Sequence, residues 1–183
     1  MFTWLGNVWR VPELRRRLLF TAGVLAVYRL GSWVPAPGVD QQAISQFFTS
    51  GAGSGGALSL LNLFSGSALS RFSIFALGIM PYVTASIILQ LLTVVIPTLE
   101  QLQKEGESGY AKINQYTRYL TVVLAAAQAA GYAYLFHHEG ALPSNPGRLV
   151  LIIVTLTAGT TLLMYMGELI TKRGIGNGIS LLI

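Results

Sequence analysis

The chain has 183 residues, 52% of them apolar and only 10% charged, with 12 Lys and Arg against 7 Asp and Glu and a net charge of +5. A soluble domain carries about 25% charged residues, so a chain this poor in charge cannot cover its own surface with solvated groups, which argues against a soluble globular enzyme and against a disordered protein. There is no cysteine, which removes disulfide scaffolds, thiolate metal sites and cysteine nucleophiles. The basic residues flank apolar runs instead of forming one basic face, which favours a membrane over nucleic acid as the partner.

In chain order, Arg10, Glu13, Arg15, Arg16 and Arg17 crowd the start, and residues 18–34 then form an apolar run interrupted only by Arg29. Arg29 lies near the far end of the run and reaches the interface by snorkelling. The run is followed by Trp33-Val34-Pro35-Ala36-Pro37-Gly38; prolines around a would-be cleavage site argue against a removed signal peptide. Gly51-Ala52-Gly53-Ser54-Gly55-Gly56 is no helix. It is followed by a short apolar piece with Leu58, Leu60, Leu61, Leu63 and Phe64, too short to cross a bilayer, and Ser65-Gly66-Ser67 ends it. A half-helix hinged to a full helix points to a pore or binding site, because irregular backbone at membrane depth must be surrounded by protein or a water-filled cavity. A surface-lying amphipathic turn is the alternative.

A helix needs about 20 mostly apolar residues to cross a bilayer. Residues 72–96 form the second span, with Pro81 expected to kink it and Gly78 allowing close helix contact. A charged loop follows, with Glu100, Lys104, Glu105, Glu107, Lys112 and Arg118. Residues 119–136 form the third span and 149–169 the fourth. His137 and His138 end the third; adjacent on a helix, they point about 100° apart and cannot share a metal face, so an interfacial cap is expected. Glu168 and Lys172, four apart, are expected to pair. A fifth span starts at about Asn177 and is cut off, so the chain is expected to be a fragment. Lys and Arg fall on the side of the N-terminus, the 100–118 loop, and Lys172 with Arg173, which places the N-terminus in the cytoplasm.

Catalytic signals are missing. Residues 51–56 lack the Gly-Lys-Ser/Thr of a phosphate loop, and Gly174-Ile175-Gly176-Asn177-Gly178 lacks the spacing and preceding strand of a dinucleotide loop. The polar residues in the spans are Thr84, Ser86, Gln90, Gln128, Thr155, Thr157, Thr160 and Thr161. They include no carboxylate pair, no Ser/His/Asp set and no ligand cluster, so no enzyme activity, cofactor or metal is expected.

Several segments resemble one family. Ser73-Ile74-Phe75-Ala76-Leu77-Gly78-Ile79-Met80-Pro81-Tyr82-Val83-Thr84-Ala85-Ser86-Ile87-Ile88-Leu89-Gln90-Leu91-Leu92 looks like the signature of the SecY protein-translocation channel family. Tyr165-Met166-Gly167-Glu168-Leu169-Ile170-Thr171-Lys172-Arg173-Gly174-Ile175-Gly176-Asn177-Gly178-Ile179-Ser180 does too, as do Lys104-Glu105-Gly106-Glu107-Ser108-Gly109, Asn114-Gln115-Tyr116-Thr117-Arg118-Tyr119, Pro12-Glu13-Leu14-Arg15, Tyr28-Arg29-Leu30-Gly31 and Asn62-Leu63-Phe64-Ser65-Gly66. The order and number of these segments make the resemblance specific, and the style of the sequence is bacterial.

The resemblance implies an all-α polytopic membrane bundle: four complete spans, a plug half-helix at about 58–70 and the start of a fifth helix, together one half of an inverted-repeat channel. It implies a pore ring of Ile79, Val83, Ile179 and Ile183, a plug built on Leu58, Leu60, Leu61, Leu63 and Phe64, and a lateral gate with Thr84, Ile87, Ile88 and Gln128. It further implies passage of signal-sequence-bearing polypeptides across or into the plasma membrane. The implied partners are SecE-like and SecG-like small subunits, a SecA-type motor ATPase or a ribosome, and lipid, with no direct nucleic acid. Branched aliphatics around a narrow waist would seal against ions by dewetting. The alternative readings are half of a secondary transporter with a small-molecule site at the broken helix, for which midplane charges would be expected, and a purely structural membrane scaffold.

Overall fold

The computed structural model describes residues 11–49, 56–138, 140, 142 and 145–183. Arg10, Glu139 and the glycine tether at 51–55 lie outside the described residues. Among the described residues the fold is all-α, with one isolated antiparallel bridge between Pro35 and Ser73.

Helix α1, Pro12–Gly31, begins with proline at its first position, where a missing N–H costs nothing. Glu13 in its first turn and Arg29 in its last complement the helix dipole. Helix α2, Gln41–Thr49, was not evident from hydropathy. It is started by Asp40, whose Oδ1 accepts hydrogen bonds from the Gln42 N–H at 3.0 Å and the Ala43 N–H at 3.5 Å, satisfying donors at the helix N-terminus. Helix α3, Ala57–Phe64, is the expected half-helix.

The second apolar run differs from expectation at its start. Helix α4 is Met80–Val95, so residues 72–79 are not helical. Gly78 at φ 59° takes a left-handed conformation that stops a helix from extending backwards. Pro81 therefore sits in the first turn and does not kink an interior turn. Helix α5, Pro97–Lys104, turns away from α4 by 100°. The break is at Ile96, which is extended at ψ 112° because Pro97 follows it.

Helix α6, Glu107–His138, begins well before residue 119, so much of the expected charged loop is helical. Helix α7, Pro146–Arg173, is capped by Asn145, whose Oδ1 accepts from the Gly147 N–H at 3.0 Å. Helix α8, Gly178–Leu182, is capped by Asn177 in the same way, at 3.1 Å from the Ile179 N–H.

Two of these helices, α6 and α7, are each long and apolar enough to cross a membrane, and the bent pair α4–α5 counts as a third if taken as one span. The 20 residues of α1 have the length to cross, about 30 Å, but charges occupy both of its ends. Helix α6 packs between α4 and α7 and buries Ala125, Ala129 and Ala133, a small-residue stripe that lets helices approach closely.

Two apolar cores result. One joins Ile44, Leu69, Phe72, Phe136, Ile152 and Leu156, with the Phe72 and Phe136 rings edge to face at 5.1 Å. The other joins Phe75, Ile79, Leu163, Met166, Ile170 and Leu182. Val94 (81% exposed) and Leu30 (71%) belong to an apolar outer surface that suits lipid.

A close backbone approach fixes α7 against the irregular segment before α4: a Cβ on Gly159 would lie 1.9 Å from the Ile74 carbonyl oxygen. Ala is a better helix former than Gly by about 1 kcal/mol, yet Gly159→Ala is expected to lower the melting temperature in detergent, because overpacking costs about 1–3 kcal/mol and the obstacle is backbone. Gly23→Ala, with open space around it, should leave the melting temperature unchanged or raise it. Equal behaviour of the two variants would contradict this packing.

Candidate functional site

The site grows from the turn between α3 and α4. After Phe64 the chain passes through Gly66 (φ 61°) and Ser67 (φ 65°). The turn is held by local polar groups: the Ser67 N–H donates to the Asn62 carbonyl at 2.8 Å, the Ser70 N–H to Asn62 Oδ1 at 2.9 Å, and the Leu69 N–H to Ser65 Oγ at 3.2 Å. The chain then lies against the segment after α1. The Ala36 N–H donates to the Phe72 carbonyl at 2.9 Å and the Ile74 N–H to the Val34 carbonyl at 3.0 Å. Phe72, at φ 44°, adopts a conformation that a bulky residue rarely takes. Its complete burial and its ring contact with Phe136 hold it there.

This path brings the start of α4 to the end of the chain. Ile79 is buried, and Val83 and Ile179 are half-buried against the same apolar core. A Cβ on Gly167 would meet Leu182 Cδ1 at 3.4 Å, Ile179 Cγ1 at 3.5 Å and Ile79 Cδ1 at 3.6 Å, so one side chain at the threshold of α4 and two from α8 converge over one glycine of α7. Helix α8 lies close because Gly178 lacks a side chain; a Cβ there would be 2.1 Å from the Gly167 carbonyl oxygen. Ile183 is 52% exposed and outside this core. The residue that enters it is Leu182, since α8 turns its buried face toward Gly178 and Leu182.

Thr84 and Gln128 share one pocket of about 530 Å³ with Leu61, Met80 and Tyr132. Ile87 is 52% exposed and Ile88 half-buried, and neither lines that pocket. Among the half-helix side chains, Leu61 packs on the first core, while Leu60, Leu63 and Phe64 are exposed. The Leu58 side chain lies outside the described residues.

The expected Glu168–Lys172 pair is corrected. Glu168 pairs instead with Arg118 on α6, Arg118 Nε donating to Oε1 at 2.7 Å and Nη2 to Oε2 at 2.5 Å. A planar guanidinium grips both carboxylate oxygens at once, which a flexible ammonium one turn away cannot do. The pair borders a pocket of about 810 Å³ that also takes in Tyr82, Asn114, Gln115, Lys172 and Asn177. Sequence reasoning missed it because its members are 50 residues apart. The available signal was that each sits at an apolar-run edge with unlike charge. His137 and His138 end α6 as read, and among the described residues no group of three or more His, Asp or Glu gathers to hold a metal.

The SecY family model matches residues 73–183. The protein translocase subunit SecY of Streptomyces griseus is 52% identical over 99% of this chain and 44% of its own length. That of Escherichia coli K12 is 52% identical over 93% of this chain and 39% of its own length. The chain thus spans under half the length of these relatives. Two solved structures share the fold. Sec61 in the canine ribosome–channel complex from the endoplasmic reticulum superposes with a TM-score of 0.65 at 24% identity, over 97% of this chain and 39% of that one. A SecY structure in which the plug domain stabilises the closed state and maintains a membrane seal gives 0.64 at 25% identity, over 97% and 38%. The chain belongs to the SecY family and is a helical membrane protein. Neither the family match nor these relatives lends support to the secondary-transporter reading.

A double-mutant cycle on Arg118→Gln and Glu168→Gln, read by thermal melting, should give a coupling of about 1 kcal/mol or more, as expected for a bidentate pair joining two helices. The exposed Lys104–Glu100 pair, an i, i+4 contact at 2.6 Å, should give about 0.3–0.5 kcal/mol. A coupling at Arg118–Glu168 no larger than that of the exposed pair would reject its role as a clamp between α6 and α7.

Proposed function

We propose that this chain forms the N-terminal half of the central subunit of a protein-conducting channel. The channel passes signal-sequence-bearing polypeptides across the bacterial plasma membrane and releases membrane proteins into it, with no enzymatic step of its own. Residues 1–183 act as one unit. Its spans are about 18–34, 72–96, 119–136 and 149–169, a fifth begins at about 177, and the N-terminus is cytoplasmic. The observation that carries this reading is the convergence of Ile79 and Val83, at the start of α4, and Ile179, on α8, onto one glycine-lined apolar core beside a broken helix.

In this reading Ile79, Val83, Ile179 and Ile183 form this half's share of the pore ring. Leu182 lies behind the ring and sets the angle of α8. Aliphatic side chains at a narrow waist exclude water and ions without binding any substrate sequence, and they yield as a polypeptide passes. The segment at about 58–70 is the plug below that waist. It is short enough to move as a body, and Leu60, Leu63 and Phe64 are exposed while Ala68 and Leu69 anchor its far end in the core. Thr84, Ile87, Ile88 and Gln128 line the lateral gate, and the pocket shared by Leu61, Thr84 and Gln128 links plug position to gate position. The partners are small SecE-like and SecG-like subunits, a SecA-type motor or a ribosome on the cytoplasmic side, and surrounding lipid. The complementary half of the channel completes the ring.

Replacing Val83 or Ile179 by Asn puts hydrogen-bonding groups at the waist and hydrates it. In the full-length channel, reconstituted in vesicles, both variants should leak ions more than wild type and export substrates with defective signal sequences. Wild-type leak together with wild-type signal selectivity in both variants would overturn the reading.

A further inference from the structure

The end of α1 and the hinge after α3 enclose a small polar cavity of about 90 Å³, lined by Arg29, Ser32, Trp33, Gly66, Ser67 and Arg71. About 10–15 Å³ suffices for one water, so the cavity admits an ion of several heavy atoms. Two guanidiniums share its wall, and each is held in place by a neutral group. Arg29 Nη1 donates to the Gly66 carbonyl at 3.4 Å, and the Arg71 guanidinium lies over the Trp33 ring, 4.2 Å from its centroid. Among the described residues the ion pairs are Lys104–Glu100 and Arg118–Glu168, so neither arginine has an acidic partner.

We infer that this cavity is a binding site for a small oxyanion of the phosphate type. Like charges facing one cavity repel, and an anion between them converts that repulsion into two attractions. Each guanidinium carries five N–H donors in a plane. The Gly66 carbonyl takes one from Arg29, and stacking on Trp33 covers a face of Arg71 while leaving its edge for in-plane donation. Ser67 adds a hydroxyl. Ser32 has already given its hydrogen to the Arg29 carbonyl at 2.7 Å, so it offers lone pairs alone. An oxyanion that itself bears a hydroxyl satisfies all four side chains, which is why phosphate fits better than chloride.

The bound ion would tie the last turn of α1 to both sides of the hinge at Gly66 and Ser67. Its effect on plug movement rests on the channel reading above; the binding itself does not. The test therefore measures binding alone. Trp33, stacked on Arg71, is the reporter in purified protein carrying Trp4→Phe and Trp9→Phe. Sodium phosphate is titrated against sodium chloride of equal ionic strength. Saturable change in Trp33 emission is expected with phosphate only. Arg29→Gln and Arg71→Gln should each weaken the apparent affinity by about tenfold or more, as for the loss of a charged hydrogen bond. Ser67→Ala, a milder change that guards against misfolding, should weaken it by about threefold or more. A response that never saturates, an equal response to chloride, or unchanged affinity in Ser67→Ala and Arg71→Gln alike would overturn the site.

Discussion

Irregular backbone inside a membrane protein has to find its hydrogen bonds within the protein, and the stretch from Ser65 to Ile79 is where this chain meets that constraint. The solution is local. Asn62 serves the stretch twice, once with its carbonyl and once with its side chain. Ser65 and Ser73 each lend a hydroxyl to a backbone N–H, those of Leu69 and Phe75. Val34 pairs with Ile74 across the isolated bridge, and Ala36 pairs with Phe72. A helix through residues 72–79 would have saved these devices. Without it, the start of α4 is displaced toward the core and a half-helix is left beside it, held by side-chain hydrogen bonds and few apolar contacts.

The rest of the packing follows from that stretch. Helix α7 approaches it closely because Gly159 presents no side chain to the Ile74 carbonyl, and Gly31 on α1 likewise makes room for the Phe75 ring. About two turns further along, Gly167 admits Ile79 from just before α4 and Ile179 and Leu182 from α8. At the polar end of the same helix, Glu168 reaches across to Arg118. Small residues at the apolar depth and a bidentate ion pair at the edge thus fix α7 against α1, α4, α6 and α8. Lipid offers no hydrophobic incentive for helices to associate, so close packing and interhelical polar contacts carry that task.

Much of this was legible in the sequence because hydropathy reports the solvent. The apolar runs containing α6 and α7, the half-helix and its Ser-Gly-Ser stop were all readable from composition. What was not legible depended on neighbours. Pro81 reads as a kink when the helix is assumed to start at Phe72, but Gly78 in the left-handed region moves the start and places the proline in the first turn. Helix α2 is short, and its burial comes from Phe136, far away in sequence. Glu168 has a lysine at the right spacing, and only the tertiary fold shows that an arginine with better geometry is within reach. The four-residue spacing of Ile179 and Ile183 is legible in the sequence, whereas the entry of Leu182 into the apolar core shows only in the fold.

The central claim is that the hinge after the half-helix rests against the turn that starts α4. A Cβ on Gly78 would lie 3.7 Å from the Ser65 Cβ, close to the separation of about 3.8 Å found in disulfides, and residues 1–183 contain no native cysteine to compete. The most direct measurement is therefore the oxidation of Ser65→Cys with Gly78→Cys in the full-length protein in membranes. Cysteine at the left-handed Gly78 position costs on the order of 1–2 kcal/mol, which the covalent bond outweighs. The account predicts rapid, near-complete disulfide formation in the resting protein and a block of polypeptide export that reductant relieves. A pair that stays reduced, or a cross-linked protein that exports normally, would contradict it.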